Sequence, residues 1–436
     1  MEFFCENSFF GVGAVCSVIA RLLYDLSKKS SNDEIKFLFV VRDIKKAKSH
    51  FFKNTEVLNN SEFLEIKDFE EIFTNYNNYT KYLEKSTIFI NTSIPDYNLS
   101  IMKLALAFKT NYADLASDIY NDNVISSLQF EQQSLNEEFE KNSLFALINL
   151  GISPGITNFL IGERIYSLSN LPYETKVSKI EINLLEEIQS KQLIFSWSPK
   201  VAIEEISYSP LFFKKNKLKK IEPFSKSKTY KFPYFKNFVE LYPVFQEEII
   251  SLKQSFKDIE NIKMFVGGNE IELMKNLYQL NLLSNKYCYG YKDSEISINS
   301  IIKDVIPKMK SPEIIEDYIK NKTIKYAEFC AIADIYLEIS YPQNSKKIKN
   351  VESIGISFNK YTNLIKTNYS GSTYISYPTG IGAGILIFYT LLNQNFNDIK
   401  GVLVTEKLPS ILGPVTNDII KRELSSYKIN LINSIK

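Results

Sequence analysis

The chain has 436 residues, 44% of them hydrophobic and 23% charged, and its 52 basic and 50 acidic residues leave a net charge of +2. That balance excludes a disordered polyelectrolyte and gives no electrostatic support to a nucleic-acid or anionic-membrane surface. A single histidine, His50, would have to carry any Ser-His-Asp triad or multi-histidine metal centre, so such mechanisms and a metal site are not expected.

Four cysteines (Cys5, Cys16, Cys288, Cys330) show no CxxC spacing and read as buried thiols in a reducing compartment. The N-terminus lacks the basic start and apolar core of a signal peptide. The longest apolar run, Gly380 to Leu392, is 13 residues, short of the ~20 needed to span a bilayer. Both point to a cytoplasmic protein. Arginine occurs only at 21, 42, 164 and 422, against 48 lysines. An arginine in such a chain is worth inspecting.

Residues 1–150 alternate strand-like and helix-like stretches. Phe9-Phe10 leads into Gly11-Val12-Gly13-Ala14-Val15-Cys16, and Ser17 to Lys28 places Val18, Ile19, Leu22, Leu23 and Leu26 at helical spacing. Ile35 to Val41 is a second strand, ended by Arg42-Asp43. Leu64-Glu65-Ile66 is a third, Thr87 to Asn91 a fourth, Tyr112-Ala113-Asp114 a fifth, and Leu144 to Leu150 a sixth, with helices between. The alternation predicts a parallel, doubly wound sheet. After Gly151-Ile152-Ser153-Pro154-Gly155 the texture changes. Alternating stretches such as Ser178 to Leu185 and Cys330 to Ser340 predict an α+β domain with a mostly antiparallel sheet over 151–375. The lysine-rich segment Lys214 to Lys231 reads as a solvated loop or hairpin. From 376 to 436 a small-residue helix, the strand Gly401 to Thr405 and a helix near Val415 to Tyr427 read as a return to the first domain.

Gly11 to Cys16 is a dinucleotide fingerprint less its third glycine. The first glycine permits the tight turn, the second admits a pyrophosphate to the backbone, and the helix N-terminus supplies positive charge. Gly11, Gly13, Ala14 and Val15 are the residues concerned. About 30 residues on, Arg42 and Asp43 end the second strand. There a carboxylate would hold the ribose of NAD and an arginine the 2′-phosphate of NADP, and Arg42 favours NADP, with NAD second. Asn91-Thr92-Ser93-Ile94-Pro95 and Asp114 end strands at the edge where open α/β sheets bind ligands. Asp114 reads equally as an N-cap carboxylate.

Asn91 to Pro95, Tyr112 to Ala116, Leu150-Gly151-Ile152-Ser153-Pro154-Gly155-Ile156-Thr157-Asn158 and Phe195-Ser196-Trp197-Ser198-Pro199 occur in the order seen in the saccharopine dehydrogenase-like family, and the chain resembles that family over about residues 9–430. The resemblance implies a discontinuous Rossmann domain (1–150 plus 376–436) with an inserted α+β substrate and dimerisation domain (151–375). It implies an NAD(P)-dependent oxidoreductase, of the kind that serves lysine biosynthesis or polyamine formation. Such enzymes act on the CH–NH bond of an amino-acid or polyamine-like small molecule, and a homodimer is implied. Asn91 to Pro95 would line the nicotinamide. Asp114, Pro154, Gly155 and Asn158 would surround the cleft, the last three beside the cofactor. Trp197 and Ser198 would enter it from the second domain and form the catalytic site with Asp114, although a lone tryptophan is also an ordinary core residue. Lys263 to Asn269 stands where the family carries carboxylate-clamping arginine, and lysine lacks the bidentate fork. A homospermidine-synthase-like transferase with bound NAD and a non-catalytic dinucleotide-binding descendant are the alternatives.

Overall fold

The computed structural model describes residues 6–30, 35–117, 128–195, 198–199, 202–203, 206, 208–283, 288–291, 294–307, 309–340 and 347–435. In chain order the first six strands are β1 Asn7–Phe10, β2 Phe37–Val41, β3 Ser61–Glu65, β4 Ile88–Asn91, β5 Asn111–Asp114 and β6 Phe145–Ile148. They are short and almost continuously apolar because helices cover both faces of a parallel sheet. Period-two alternation divides their side chains between two cores. Phe9, Phe37 and Phe39 enter one, while Phe10, Leu38, Val40 and Phe89 enter the other. β1 is buried throughout despite Asn7 and Ser8. Ser8 Oγ meets Ser86 Oγ at 2.5 Å, whereas the Asn7 side-chain amide has no hydrogen-bond partner among the described residues.

The later strands are β7 Glu174–Ser190, β8 Leu211–Lys214, β9 Lys217–Lys220, β10 Lys228–Tyr230, β11 Val239–Tyr242, β12 Asn261–Gly267, the hairpin β13 Cys288–Tyr291 and β14 Ser294–Ser297, β15 Ile324–Ser340, β16 Ile348–Phe358, β17 Gly401–Val404 and β18 Asn430–Ile435. The first sheet has seven parallel strands in the order β17-β6-β5-β4-β1-β2-β3. β1 sits where the order reverses, so the crevice between the carboxyl ends of β1 and β4 is the topological switch point. The second sheet has nine strands around β7 and β15 and is antiparallel except for the β12–β7 pair. This is the Rossmann-type α/β unit with a second α+β unit that the sequence pattern predicts.

Three glycines mark close approaches between elements distant in the chain. The helix Ser376–Asn397 lies against α1 (Ala14–Ser30) through Gly380 and Gly384, one helical turn apart. A Cβ at these positions would stand 2.5 Å from Val18 Cβ and 2.7 Å from Leu22 Cδ2. The helix Ile156–Ser169 crosses the 405–407 turn at Gly162, whose Cβ would fall 2.0 Å from the Glu406 carbonyl oxygen. The C-terminal region returns to both sheets rather than to the first alone. β17 extends the first sheet beside β6, but β18 pairs antiparallel with β16 in the second. Residues 430–435 therefore differ from the expected 376–436 return. Leu431 faces the core shared with the first sheet and Ile432 the apolar cluster on the other face, while 433–435 are exposed, as at the edge of a sheet. Among the described residues no helix is long and apolar enough to cross a membrane.

Because the obstacle at Gly162 is backbone, the neighbouring turn must move to admit a methyl group. Gly162→Ala should lower stability by about 1–3 kcal/mol. A urea midpoint equal to the parent's would show that the contact is not close-packed.

Candidate functional site

The switch-point crevice is built by two loops fastened to each other. The Gly11 N–H donates to Val40 O at 2.9 Å, and the Thr92 N–H donates to Phe10 O at 3.0 Å. Thr92 Oγ1 donates to Gly11 O at 2.6 Å. Gly11 has φ +85°, and a Cβ there would lie 2.7 Å from Ser93 Cβ, so both backbone and space demand glycine. Gly13 differs. A Cβ on Gly13 would meet nothing within 4 Å, since the position faces open space. α1 begins at the next residue with no acidic side chain in its first turn, and its leading N–H groups have no intrahelical acceptors. Ala14 and Val15 are half-buried at that end. Cys16 lies beneath, fully buried beside Thr92, and burial pushes its thiol up to about 12. It is a packing residue.

The second loop is held by Asn91. Its Oδ1 accepts from the Ser93 N–H at 2.9 Å and from Ser93 Oγ at 2.6 Å. Its Nδ2 donates to Ile94 O at 3.1 Å and Asn98 Oδ1 at 2.7 Å. Asn91 thus shapes the loop with both polar atoms of its side chain. Ser93 and Ile94 are exposed, Ile94 at 43%, and Pro95 opens a 3₁₀ turn, Pro95–Tyr97.

Arg42 and Asp43 are both exposed at the end of β2. Asp43 caps the helix Ile44–Ser49, accepting from the Lys46 N–H at 3.0 Å, and this hydrogen bond holds its carboxyl below the usual range. Arg42 has no ion pair among the described residues. Arg164 grips Glu352 through Nε and Nη2, and Arg21 pairs with Asp25 and Glu56. The arginine at the crevice is therefore uncommitted, unlike these two.

Asp114 ends β5 at 1% exposure. Its Oδ1 accepts from the Asn149 N–H at 2.8 Å and its Oδ2 from Gln132 Nε2 at 2.5 Å. Burial raises its pKa to about 7, against the lowering effect of these bonds. The carboxyl fastens the loop after β6 and does not cap a described helix. That loop turns at Gly155, where φ is +139° and a Cβ would fall 1.9 Å from Gly151 O. Pro154 and Gly155 are buried. Asn158 is fully buried too, its Nδ2 donating to Glu406 Oε2 at 3.2 Å and to Ser251 Oγ at 3.4 Å. Around it gather Ser255, bonded to Glu406 Oε1 at 3.0 Å, and Glu248, which accepts from Ser153 Oγ at 2.6 Å. Burial, reinforced by Glu406, raises Glu248 to about 7.

The structure thus brings together Gly11, Gly13, Ala14, Val15, Thr92, Ser93, Ile94 and Arg42 at the open crevice, and sets Asn91, Asp114, Pro154, Gly155 and Asn158 behind it. Ser198 is half-buried, its carbonyl accepting from the Ala202 N–H at 3.0 Å. Ser196 and Trp197 lie outside the described residues. Lys263 does not replace a crevice arginine. It stands on the opposite face of β12 from Ile262, Met264 and Val266, which enter the core shared with the first sheet. Sequence reading missed Gln132, Asn149, Glu248 and Glu406. Asn149 carried one signal, an Asn before Leu-Gly, and its φ is +62°. Among the described residues no cluster could hold a metal ion.

A Rossmann-type sheet with an open switch-point crevice, joined to an α+β sheet, defines a class of two-unit dinucleotide-fold proteins. Within it the fold is saccharopine dehydrogenase-like. The apo L-glutamate-forming saccharopine dehydrogenase of Saccharomyces cerevisiae superposes with TM-score 0.68 over 99% of this chain and 100% of its own, at 13% identity. A myo-inositol dehydrogenase from Corynebacterium glutamicum gives TM-score 0.38 at 8% identity, covering 99% of each chain. A mutant meso-DAPDH with DAP from Clostridium tetani gives 0.38 at 12% identity, covering 96% of this chain and 99% of its own. No family model and no curated protein sequence matches the chain.

The buried carboxyls set a pH dependence. Asp114 and Glu248, with Glu186 and Glu328, are raised to about 7 by burial. Between about pH 4 and pH 7 the native state holds protons that the unfolded chain has released, so stability falls as pH rises through that window and levels off above it. Asp114→Asn should remove of order 2–4 kcal/mol of that fall. Urea unfolding across the pH series reads it, and an undiminished slope in the variant would reject the assignment to Asp114.

Proposed function

We propose that the protein is a nicotinamide-dependent oxidoreductase that prefers NADP and acts on the CH–NH bond of an amino-acid or polyamine-like substrate. The observation that carries this reading is the open space at Gly13. It stands before a helix N-terminus free of acidic side chains, with an uncommitted arginine at the end of the neighbouring strand. The N–H groups at Gly13, Ala14 and Val15 would receive the pyrophosphate. Asp43 is engaged by its own helix, which leaves Arg42 as the group for a 2′-phosphate. Bound cofactor supplies or accepts the hydride.

The protein's part is to position and to exclude water. Asn91 fixes the loop on which Ser93 and Ile94 face the crevice, and Asp114 fixes the loop after β6 from behind. The resemblance to the saccharopine dehydrogenase-like family adds the CH–NH substrate class and the homodimer. With Lys263 on the far face, that segment brings no cation to the crevice. This weighs toward a polyamine-like substrate rather than a dicarboxylic one.

Cofactor choice tests the reading first. NADPH should bind more tightly than NADH, and Arg42→Ala should lose roughly 1.5–3 kcal/mol of that preference. Equal dissociation constants in the parent protein would remove the assignment to NADP. Gly13 tests the cradle itself. A valine there meets no protein atom, so Gly13→Val should melt like the parent yet lose stabilisation by NADPH. If NADPH raises the melting temperature of this variant as much as the parent's, the cradle lies elsewhere.

A further inference from the structure

The outer face of the second sheet carries a cavity that the crevice does not use. Strand register assembles it. On β12, Lys263 and Phe265 alternate with the inward Ile262, Met264 and Val266, and the parallel pairing sets Lys263 beside Glu181 of β7. β8 meets β12 at Phe213↔Ile262, so its Phe212 and Lys214 fall on the Lys263 side. The β8–β9 hairpin then places Lys219 opposite Phe212. Lys226 and Lys228, at the approach to β10, close the rim around about 340 Å³.

The floor is aromatic and the walls are cationic. The Lys228 ammonium lies 4.3 Å from the Phe265 ring centre, and that of Lys263 lies 5.9 Å from Phe212. Glu181, the one carboxylate lining the cavity, is already shared by Lys228 and Lys179. Lys214, Lys219, Lys226 and Lys263 have no ion pair among the described residues. In a chain of net charge +2 this is a local excess, not a reflection of overall basicity. Lysines on a merely solvated hairpin would splay into water at no cost. Here Lys228 and Lys263 are half-buried over rings. Burial lowers the Lys263 pKa, with Lys179, Lys214 and Lys226 adding to the effect and Glu181 opposing it. An anion in the cavity would relieve that repulsion.

We propose that this cavity binds a compact polyanion, a polyphosphate or polycarboxylate small enough to lie between the β8–β9 hairpin and β12. It is separate from the crevice, since β12 turns its other face to the core shared with the first sheet. Lysines suit such a ligand as point charges without demanding planar, bidentate geometry.

Isothermal titration of the full chain at low salt tests it, with inorganic tripolyphosphate and citrate as separate probes. One of them should bind with one site per chain and weaken as salt is raised. Lys219→Gln with Lys263→Gln should weaken that binding by at least about tenfold. Lys226→Gln, on the exposed rim, should weaken it less. Lys103→Gln, on a first-sheet helix, and Gly13→Val, in the crevice, should leave it unchanged. A preference for tripolyphosphate assigns the site to phosphoryl anions, and a preference for citrate assigns it to polycarboxylates. The proposal is overturned if neither probe binds, or if Gly13→Val abolishes binding while the double lysine variant retains it. It is overturned equally if Lys103→Gln weakens binding as much as the double variant does.

Discussion

The structure depends on how α1 is held. Its N-terminus must stay open for the crevice to exist, so nothing can clamp it from the front, and all the restraint comes from its sides. One side lies on the sheet, with Cys16 and Ile19 fully buried. The other lies on the glycines of the Ser376–Asn397 helix, whose bare backbone receives the Val18 and Leu22 side chains of α1. Close approach replaces a cap. This explains how the fingerprint tolerates Cys16 in place of its third glycine. The tight packing that a glycine would have granted toward the sheet is made on the opposite side of the helix, more than 360 residues away in the chain.

The parallel sheet was legible because burial on both faces leaves each strand a nearly unbroken apolar run, and Phe37 to Val41 or Phe145 to Ile148 cannot easily be read otherwise. Asn7 and Ser8 break that pattern. They sit in a central strand whose neighbours supply the apolar surface, so two polar residues are carried by tertiary context. The ends of the chain were harder. The segment 430–435 follows a helix that packs on the first unit, and only the long-range pairing with β16 reveals its sheet. Lys214 to Lys231 shows the same limit. A hairpin was readable from alternation and polarity, but the cavity appears only when its register is laid beside β12.

At the site, the residues whose function lies in having no side chain were the readable ones. Gly11 and Gly13 are defined by spacing, and spacing is linear information. Asp114, Asn91 and Asn158 were equally visible as polar residues at strand ends, but their orientation is not linear information. Each turns its polar atoms toward a backbone or side chain from another element. Asp114 binds a loop 35 residues away and Asn158 a turn 248 residues away. Their partners Gln132, Glu248 and Glu406 have no motif, since a buried acceptor can be satisfied by any donor that the fold delivers. Such residues are found by accounting for hydrogen bonds, not by pattern.

Charge is used in three ways that follow the chemistry of each side chain. Two of the four arginines are spent on carboxylates, Arg164 fixing a helix to β16 through Glu352 and Arg21 joining α1 to the short helix of Glu56. Three carboxyls with raised pKa values lie at the junctions between elements, where donated hydrogen bonds stand in for a counter-ion. Asp114, Glu248 and Glu406 sit there, and among the described residues none has a lysine or arginine as a bonded partner. The lysines remain at the periphery, in water or over rings, except where β8, β9 and β12 gather them. An interior with few fixed cations has a consequence for the crevice. On the function proposed above, discrimination there rests on Arg42 at its rim, on backbone N–H groups and on shape, which suit a phosphate-bearing ligand at one end and an apolar or cationic one at the other.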